Sequence, residues 1–487
     1  GMPSDDRLVV ILDPFNTQRA GYRFETNLNA ARHDSLYTST TSFPIDWNTI
    51  WDVAANVDGN AWVAEIEIPF KSIPFDPEID TWGFNFGRAI RRRGEEIAWV
   101  SQNRTYNPSI SGQVTGLTGL DTGLGLDIVP SLAINQSRQY DPNMEETNVE
   151  PSLDAFYRLT SSLNAALTVN TDFSATEVDN RQVNLSRFNL FFPEKRDFFL
   201  NDSDLFQFGN ISGMARGNNA TSGASRENAR PYFSRKIGLS SNGQPVDIEY
   251  GGRVSGRVGR WNIGTLAIRQ DETQNVDASD LFVSRVTANI LSNSNVGFIV
   301  TKGDPGSDRD NSVYGADFSY LNNTLPGGNS LEADLWYQRS DTPGLVGDDA
   351  SYGFGLRYPS STGFRGRIGF KEVQRNFYPA MGYVNRSNVR DTTADVGYTH
   401  FFDDSFLQSA FFGIDGQRVD EIDGGLQSEV FAFRLLELET TTRDSVSLSY
   451  RKNREVVRSS FTLYRSPSRQ VAVTPGDYKF DEQEVEL

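Results

Sequence analysis

From residue 124 onward, apolar and polar side chains alternate along the chain in runs of about ten residues. In Tyr352–Tyr358, Tyr352, Phe354, Leu356 and Tyr358 fall on one face, opposite Gly353, Gly355 and Arg357. In Gly363–Lys371, Phe364, Ile368 and Phe370 oppose Arg365, Arg367 and Lys371. In Ser445–Arg451, Val446, Leu448 and Tyr450 oppose three serines and Arg451. In Asp247–Val258 the period places Ile248, Tyr250, Val254 and Val258 together, away from Asp247, Glu249, Arg253, Ser255 and Arg257. A period of two assigns each set to one side of a strand. An apolar outer face with an Arg- and Ser-rich inner face, repeated over 124–465, is the pattern of an antiparallel transmembrane β-barrel. A soluble sandwich would bury the apolar face on a second sheet, but Arg-rich faces this regular suit a wet lumen better. Roughly a dozen or more strands are expected, above the eight-stranded minimum. The tips "TKGDPGSDRDNS" and "NNTLPGGNS" are expected to be long polar loops.

Before this, the grammar differs. From 5 to about 120 the apolar runs are short and separated by Asn, Asp, Gly and Pro, which predicts a β-sandwich. In "AWVAEIEIPF" Trp62, Ala64, Ile66, Ile68 and Phe70 share a face and Glu65 and Glu67 the other. "SGQVTGLTGLDTGLGLD" marks the boundary, giving a sandwich over 1–122 and a barrel domain over 123–487. Within the latter, 173–245 lacks alternation, is rich in Asn, Ser and Arg, and is expected to be an irregular luminal segment.

Composition narrows the function. Mean hydropathy is −0.47, and no apolar run approaches the roughly 18–20 residues of a helical membrane span. A barrel is untouched by that test, because its strands alternate. The 487-residue chain has no Cys and two His (His33 and His400), which removes thiol chemistry and Cys-based zinc sites. Its net charge of −18 argues against a nucleic-acid partner. Residue 1 leads into a strand at once and the other end stops on "DYKFDEQEVEL", so both domains are expected to be incomplete.

The most informative stretch is "RFNLFFPEKRDFFLND", 187–202, with five phenylalanines around Glu194-Lys195-Arg196-Asp197. Together with "DSDLFQFGN" and "PYFSRKIGL", it resembles a signature of the DUF5916 family. That family joins an N-terminal carbohydrate-binding-family-9-like sandwich to a C-terminal outer-membrane barrel. "SDDRLVVILDPFNTQRAGYRFETN" and "WGFNFGRAIRRRGEEIAW" are similar to the second half of its sandwich. The resemblance implies a bacterial outer-membrane location, contact with outer-membrane lipid, and a plug or constriction formed by 187–208. Phe191, Phe192, Phe198 and Phe199 would pack on each other and on lumen aromatics. Glu194, Lys195, Arg196 and Asp197 would pair with inner-face charges, since enclosed charges persist only when paired.

Other candidates are weaker. Glu65 and Glu67 lie about 7 Å apart by strand geometry, a glycosidase-like separation, yet two acids at i and i+2 are usually a solvated face. Trp47, Trp51 and Trp99 are the tryptophans available to stack on a sugar ring. Asp5, Asp6 and Asp13 offer hard oxygen ligands of the kind Ca²⁺ takes, although such residues more often cap turns. Arg253, Arg257, Arg365 and Arg367 are expected to form an anion-favouring stripe in the lumen. The expected function is recognition or passage of a saccharide or similar solute at the envelope. The alternatives are an envelope glycoside hydrolase and a structural or assembly barrel without a small ligand.

Overall fold

The computed structural model describes residues 5–37, 47–102, 105–121, 123–140, 143–171, 184, 187–214, 223–240, 245–272, 276–291, 293–442, 444–466 and 469–487. Parts of the irregular segment, 173–183, 185–186, 215–222 and 241–244, lie outside them. The N-terminal region has strands β1 (Arg7–Asp13), β2 (Gly21–Asn27), β3 (Arg32–Tyr37), β4 (Asp52–Asp58), β5 (Ala61–Glu67), β6 (Trp82–Ile90), β7 (Glu95–Ala98) and β8 (Gly112–Val114). They form an antiparallel sheet in the order β3-β2-β1-β6-β7, with β8 also on β6, and a separate β4–β5 hairpin. Tyr22, Phe24, Trp47, Trp51, Phe75 and Trp82 are buried together, with Val53 and Ile66 of the hairpin packed against them.

A second sheet follows the boundary. It takes β9 (Leu126–Tyr140), β10 (Asn143–Thr160), β11 (Leu163–Thr171), β12 (Ile248–Val258), β13 (Trp261–Gln270), β14 (Ser279–Ile290), β15 (Ser294–Lys302) and β16 (Ser312–Leu325). It continues through β17 (Asn329–Asp341), β18 (Ala350–Tyr358), β19 (Gly363–Val373), β20 (Val389–Phe401), β21 (Leu407–Glu421), β22 (Gly425–Thr440) and β23 (Ser445–Val457). The small hairpin β24 (Phe461–Ser466) and β25 (Arg469–Val473) precedes β26 (Gly476–Glu486), which pairs with β23. The result is a sixteen-stranded antiparallel meander whose two end strands, β9 and β26, are not paired to each other among the described residues.

This sheet inverts the solubility rule. Tyr250, Phe298, Tyr314, Leu335, Tyr337, Phe354 and Phe364 are exposed on its outer face. Arg253, Ser255, Arg285, Asp317, Asp334, Gln338 and Arg357 are buried on the inner one. Apolar outside and polar inside is what a bilayer-facing barrel requires. In the four strands read from the sequence the alternation holds as expected except at one point. A register shift between Ile248 and Tyr250 is a β-bulge, and it turns Ile248 inward into a buried cluster while Tyr250 stays out. The two do not share a face.

The sheet curves around its own irregular segment. Phe198, Phe199, Phe206 and Ile237 of that segment pack on β11 to β14 through Ala166, Ile248, Leu266, Ile268, Leu281 and Val283. Phe208, Ile211 and Ala229 pack on β15 to β17 and β19 to β21 through Ile299, Val313, Trp336, Val373, Val389 and Val419. The turn at Ile211–Met214 also lies against β18. A single short segment can touch every strand from β11 to β21 only from inside their curve. Turns at one end of the sheet are short, two to five residues, whereas 271–278, 303–311, 342–349 and 374–388 connect strands at the other. "NNTLPGGNS" therefore belongs to a tight turn between β16 and β17, contrary to the long loop expected of it.

The sandwich docks at the short-turn end. Phe75 donates its N–H to the carbonyl of Ser161 at 2.9 Å. Arg158 donates to the carbonyls of Phe70, Lys71 and Ile73 at 2.8, 2.6 and 3.1 Å. Asn323 donates to the carbonyl of Ser109 and Arg19 to that of Asn293.

Candidate functional site

The charged knot is an internal clamp. Arg196, buried, donates to both carboxylate oxygens of Glu194 at 2.9 and 2.8 Å and to the carbonyls of Ile237 and Ser234, each at 2.9 Å. Its guanidinium also lies over the Phe199 ring at 4.1 Å. Glu194 and Arg196 thus staple the start of the segment to its return stretch, "SRKI", instead of pairing with the inner wall. The reason is local: extended backbone at Arg196 leads into the short helix α1 (Asp197–Leu200) and puts the i and i+2 side chains within reach of each other. Asp197 is exposed and Lys195 partly buried. The aromatic pairs separate. Phe198 and Phe199 meet edge to face at 5.0 Å in the core, whereas Phe191 stacks on Phe233 at 4.8 Å and meets Tyr383 at 5.2 Å. Phe192 lies under Arg235.

The ties to the wall come from the next residues, "NDSDLFQFGN", to which the sequence pattern alone assigns no role. Asp202 accepts from Ser255 at 2.7 Å and from Asn164 at 2.9 Å. Asp204 accepts from Arg257, and the Phe198 carbonyl from Arg253. Arg285 reaches the Gln207 carbonyl and holds Asp317 in a two-pronged pair at 2.5 and 2.7 Å. Asp317 also accepts the Gly209 N–H at 3.0 Å. Arg357 bridges Glu332 and Asp334 at 2.8 and 2.7 Å, and Asp334 takes Asn210 at 3.0 Å. Gly264 and Gly315 form sockets: a methyl on either would come within 2.9 Å of the ring of Phe206 and 2.8 Å of that of Phe208. The sequence signal for these contacts is the DSD triplet beside an aromatic pair.

Between segment, wall and sandwich lies a cavity of about 670 Å³, within the usual range for small-molecule pockets, roughly 300–1,000 Å³. Its sandwich end is formed by Thr17, Arg19 and Ala20. Asn262, Thr287, Asn289 and Asn295 line it from three adjacent strands, where Asn262 is level with Thr287 and Asn289 with Asn295. Asn262 donates to Thr287 at 2.9 Å and to Asn289 at 3.3 Å. Phe206, Tyr232 and Tyr320 add aromatic surface.

The remaining candidates sit elsewhere. Arg253 and Arg257 face inward as expected but are spent on the plug, because a buried guanidinium persists only with partners; they offer no open anion stripe. Arg365 lies over Phe411 at 4.3 Å, and Arg367 is level with Asp395. Trp47 and Trp51 are 6% and 1% exposed and pack on Tyr22 and Phe24, which leaves no face for a sugar. Trp99, at 59%, keeps an open face beside Phe84. Glu65 and Glu67 lie on the exposed side of β5, one level with Ala54 and the other with Asp52.

The three aspartates serve three separate contacts and do not converge. Asp5 accepts from Asn27 at 2.9 Å and Asp6 from the Arg91 N–H at 2.6 Å. Asp13 accepts from the Gln18 N–H at 2.7 Å and the Phe15 N–H at 3.3 Å, capping the loop that carries Arg19. Burial pushes the Asp13 carboxyl up to about 6, against those bonds and the nearby Arg257 charge.

The stretch with this geometry, from the domain boundary through the plug to β15, has a counterpart. Residues 122–299 match the family described as "Domain of unknown function (DUF5916)". Those residues are a DUF5916 domain. The DUF5916 domain thus contains the clamp, Asp202, Asp204 and the amide wall of β13 to β15, while Arg357 and the sandwich lie outside it. No curated protein matches the chain in sequence. Among solved structures, the chain is similar to Pseudomonas aeruginosa OpdQ, at 8% identity and a TM-score of 0.33 over 99% of this chain and 98% of that one. It is also similar to the outer membrane protein opdK of the same organism, at 8% identity and a TM-score of 0.31, covering 99% and 100%. OccK7 (OpdD) gives 9% and 0.31, covering 99% and 95%. At such scores these likenesses carry no functional argument; the geometry of this chain has to supply it.

Proposed function

We propose that the protein is an outer-membrane barrel that recognises and passes a neutral polar solute of the saccharide type through its plugged lumen. The observation that carries this is the make-up of the cavity. Its carboxylates are engaged with guanidiniums, Arg19 is held on the carbonyl of Asn293, and what they leave to a solute is amides, hydroxyls and aromatic faces. Such groups suit a sugar, whose hydroxyls need donors and acceptors and whose ring needs a flat apolar partner. An anion would meet arginines that are already committed. Short turns mark the periplasmic end of such barrels, which supports a periplasmic sandwich, with Trp99 as its one candidate tryptophan still open to a glycan. The hydrolase reading draws less support, because Glu65 and Glu67 face solvent and the cavity acids are held by arginines.

The test is flux. The chain, with any further residues its gene encodes, is reconstituted into liposomes, and swelling is followed in an isosmotic neutral hexose. Swelling above that of protein-free vesicles is expected, as is loss of the effect when Asn262 and Asn289 are both replaced by Leu. Swelling indistinguishable from empty vesicles would refute passage.

A further inference from the structure

The ion pairs around the cavity do not balance without the sandwich. Among the described residues, Glu194 pairs with Arg196, Asp204 with Arg257, Glu227 with Arg230, and Asp317 with Arg285. Glu332 and Asp334, however, share the single guanidinium of Arg357. Six carboxylates in these pairs therefore meet five guanidiniums. The sixth is Arg19. It comes from another domain, on the loop between β1 and β2, lines the cavity, and donates to the carbonyl of Asn293. Its electrostatic neighbours are Asp334, Glu332 and Asp317, with Arg357 the opposing charge. A loop anchored by the buried Asp13 carboxylate holds it there.

We propose that Arg19 is the charge-selecting residue of the cavity. It stands at the sandwich end of the cavity, held on the Asn293 carbonyl and in the field of Glu332 and Asp334 without pairing with either, and so keeps that end of the path open to neutral solutes and closed to ammonium or guanidinium groups. The inference rests on the passage reading and adds a specificity to it. A charged solute in a narrow, water-filled passage responds to one net charge far more than a neutral one does. Removing Arg19 leaves one unbalanced carboxylate, which attracts cations, repels anions and leaves neutral solutes almost unaffected.

The experiment compares three solutes with the same carbon chain: sorbitol, the N-methylglucamine cation and gluconate. Flux into liposomes is measured with the wild-type chain, Arg19→Ala and Arg19→Lys. The cation-to-sorbitol flux ratio is expected to rise about fivefold in Arg19→Ala, what one unit charge at ~4 Å contributes in water. The gluconate ratio should fall, Arg19→Lys should stay near wild type, and the gain should collapse in high salt. A change in all three fluxes by the same factor would mean that Arg19 only seats the sandwich, and would overturn the inference while leaving passage intact. Absence of sorbitol flux in every form would overturn the passage reading and this inference with it.

Discussion

Replacing Arg196 by Met tests whether the charged knot holds the plug together. Arg196 is 2% exposed and makes four hydrogen bonds, two to Glu194 and two to carbonyls of the return stretch. Methionine fills much of the same space but strands Glu194, whose side chain is 9% exposed, without its counter-charge. Breaking a buried pair from one side costs about 3–5 kcal/mol. At about 1.4 kcal/mol per tenfold, the population in which the plug opens locally should rise roughly a hundred- to a few thousandfold. Hydrogen exchange followed by mass spectrometry reads this directly. Amides of 196–214 and 223–240 should lose protection by that factor, while β16 to β21 stay protected. Adding Glu194→Gln should restore part of the loss, because the stranded charge is gone. Two results would refute the reasoning: unchanged protection in the single variant, or a double variant no better than the single one. The first would mean the plug is held by its aromatic contacts alone, the second that the lost carbonyl bonds dominate.

Two further predictions concern the sandwich and its seat. The Asp13 carboxyl is raised by burial from 3.8 to about 6, so the folded state holds its proton more tightly than the unfolded chain. That contribution is fully present below pH 3.8 and is lost as pH rises through about 6, a difference of up to about 3 kcal/mol. Exchange of the loop amides 15–20, corrected for intrinsic rate, should therefore be slower at pH 5 than at pH 7, and Asp13→Asn should abolish the difference; a wild-type loop indifferent to pH would contradict the assignment. Separately, a Cβ on Gly328 would lie 3.5 Å from that of Gln102, inside the roughly 3.5–4.5 Å of disulfides. Gln102→Cys with Gly328→Cys should oxidise to a single bridge joining sandwich and barrel, and thiols that stay free under oxidant would rule out this docking.

The strands are legible in the sequence because their period is strict and the bilayer leaves apolar side chains no alternative direction. The inner row at Arg365 and Arg367 follows from spacing alone. What periodicity cannot register is a bulge, and the period puts Ile248 on the wrong face for that reason: one extra residue reverses every face beyond it. Trp47 and Trp51 mislead because their segment has no alternation, although a loop can be buried as deeply as a strand when it covers a sheet. The cavity is not legible. It needs Arg19 from the first domain, Asp204 from the plug and Arg357 from β18 in one place, and only the curvature of the sheet around the plug brings them there. The plug itself can be seen as a break in rhythm, but its internal clamp depends on which carbonyls return to Arg196.

The position of the plug in the chain has a consequence for biogenesis. It lies between β11 and β12, so it is synthesised when only three of the sixteen strands exist. The inner surfaces of the later strands carry Arg285, Asp317 and a socket glycine that are complete only against it. An empty sheet would strip the Arg285–Asp317 pair of the Gln207 carbonyl and the Gly209 N–H, and a free plug would expose Phe198, Phe199, Phe206 and Phe208. Each is a poor species without the other. The segment and the wall are therefore complementary halves of one core, and the girth of the segment sets how tightly β11 to β21 curl around it.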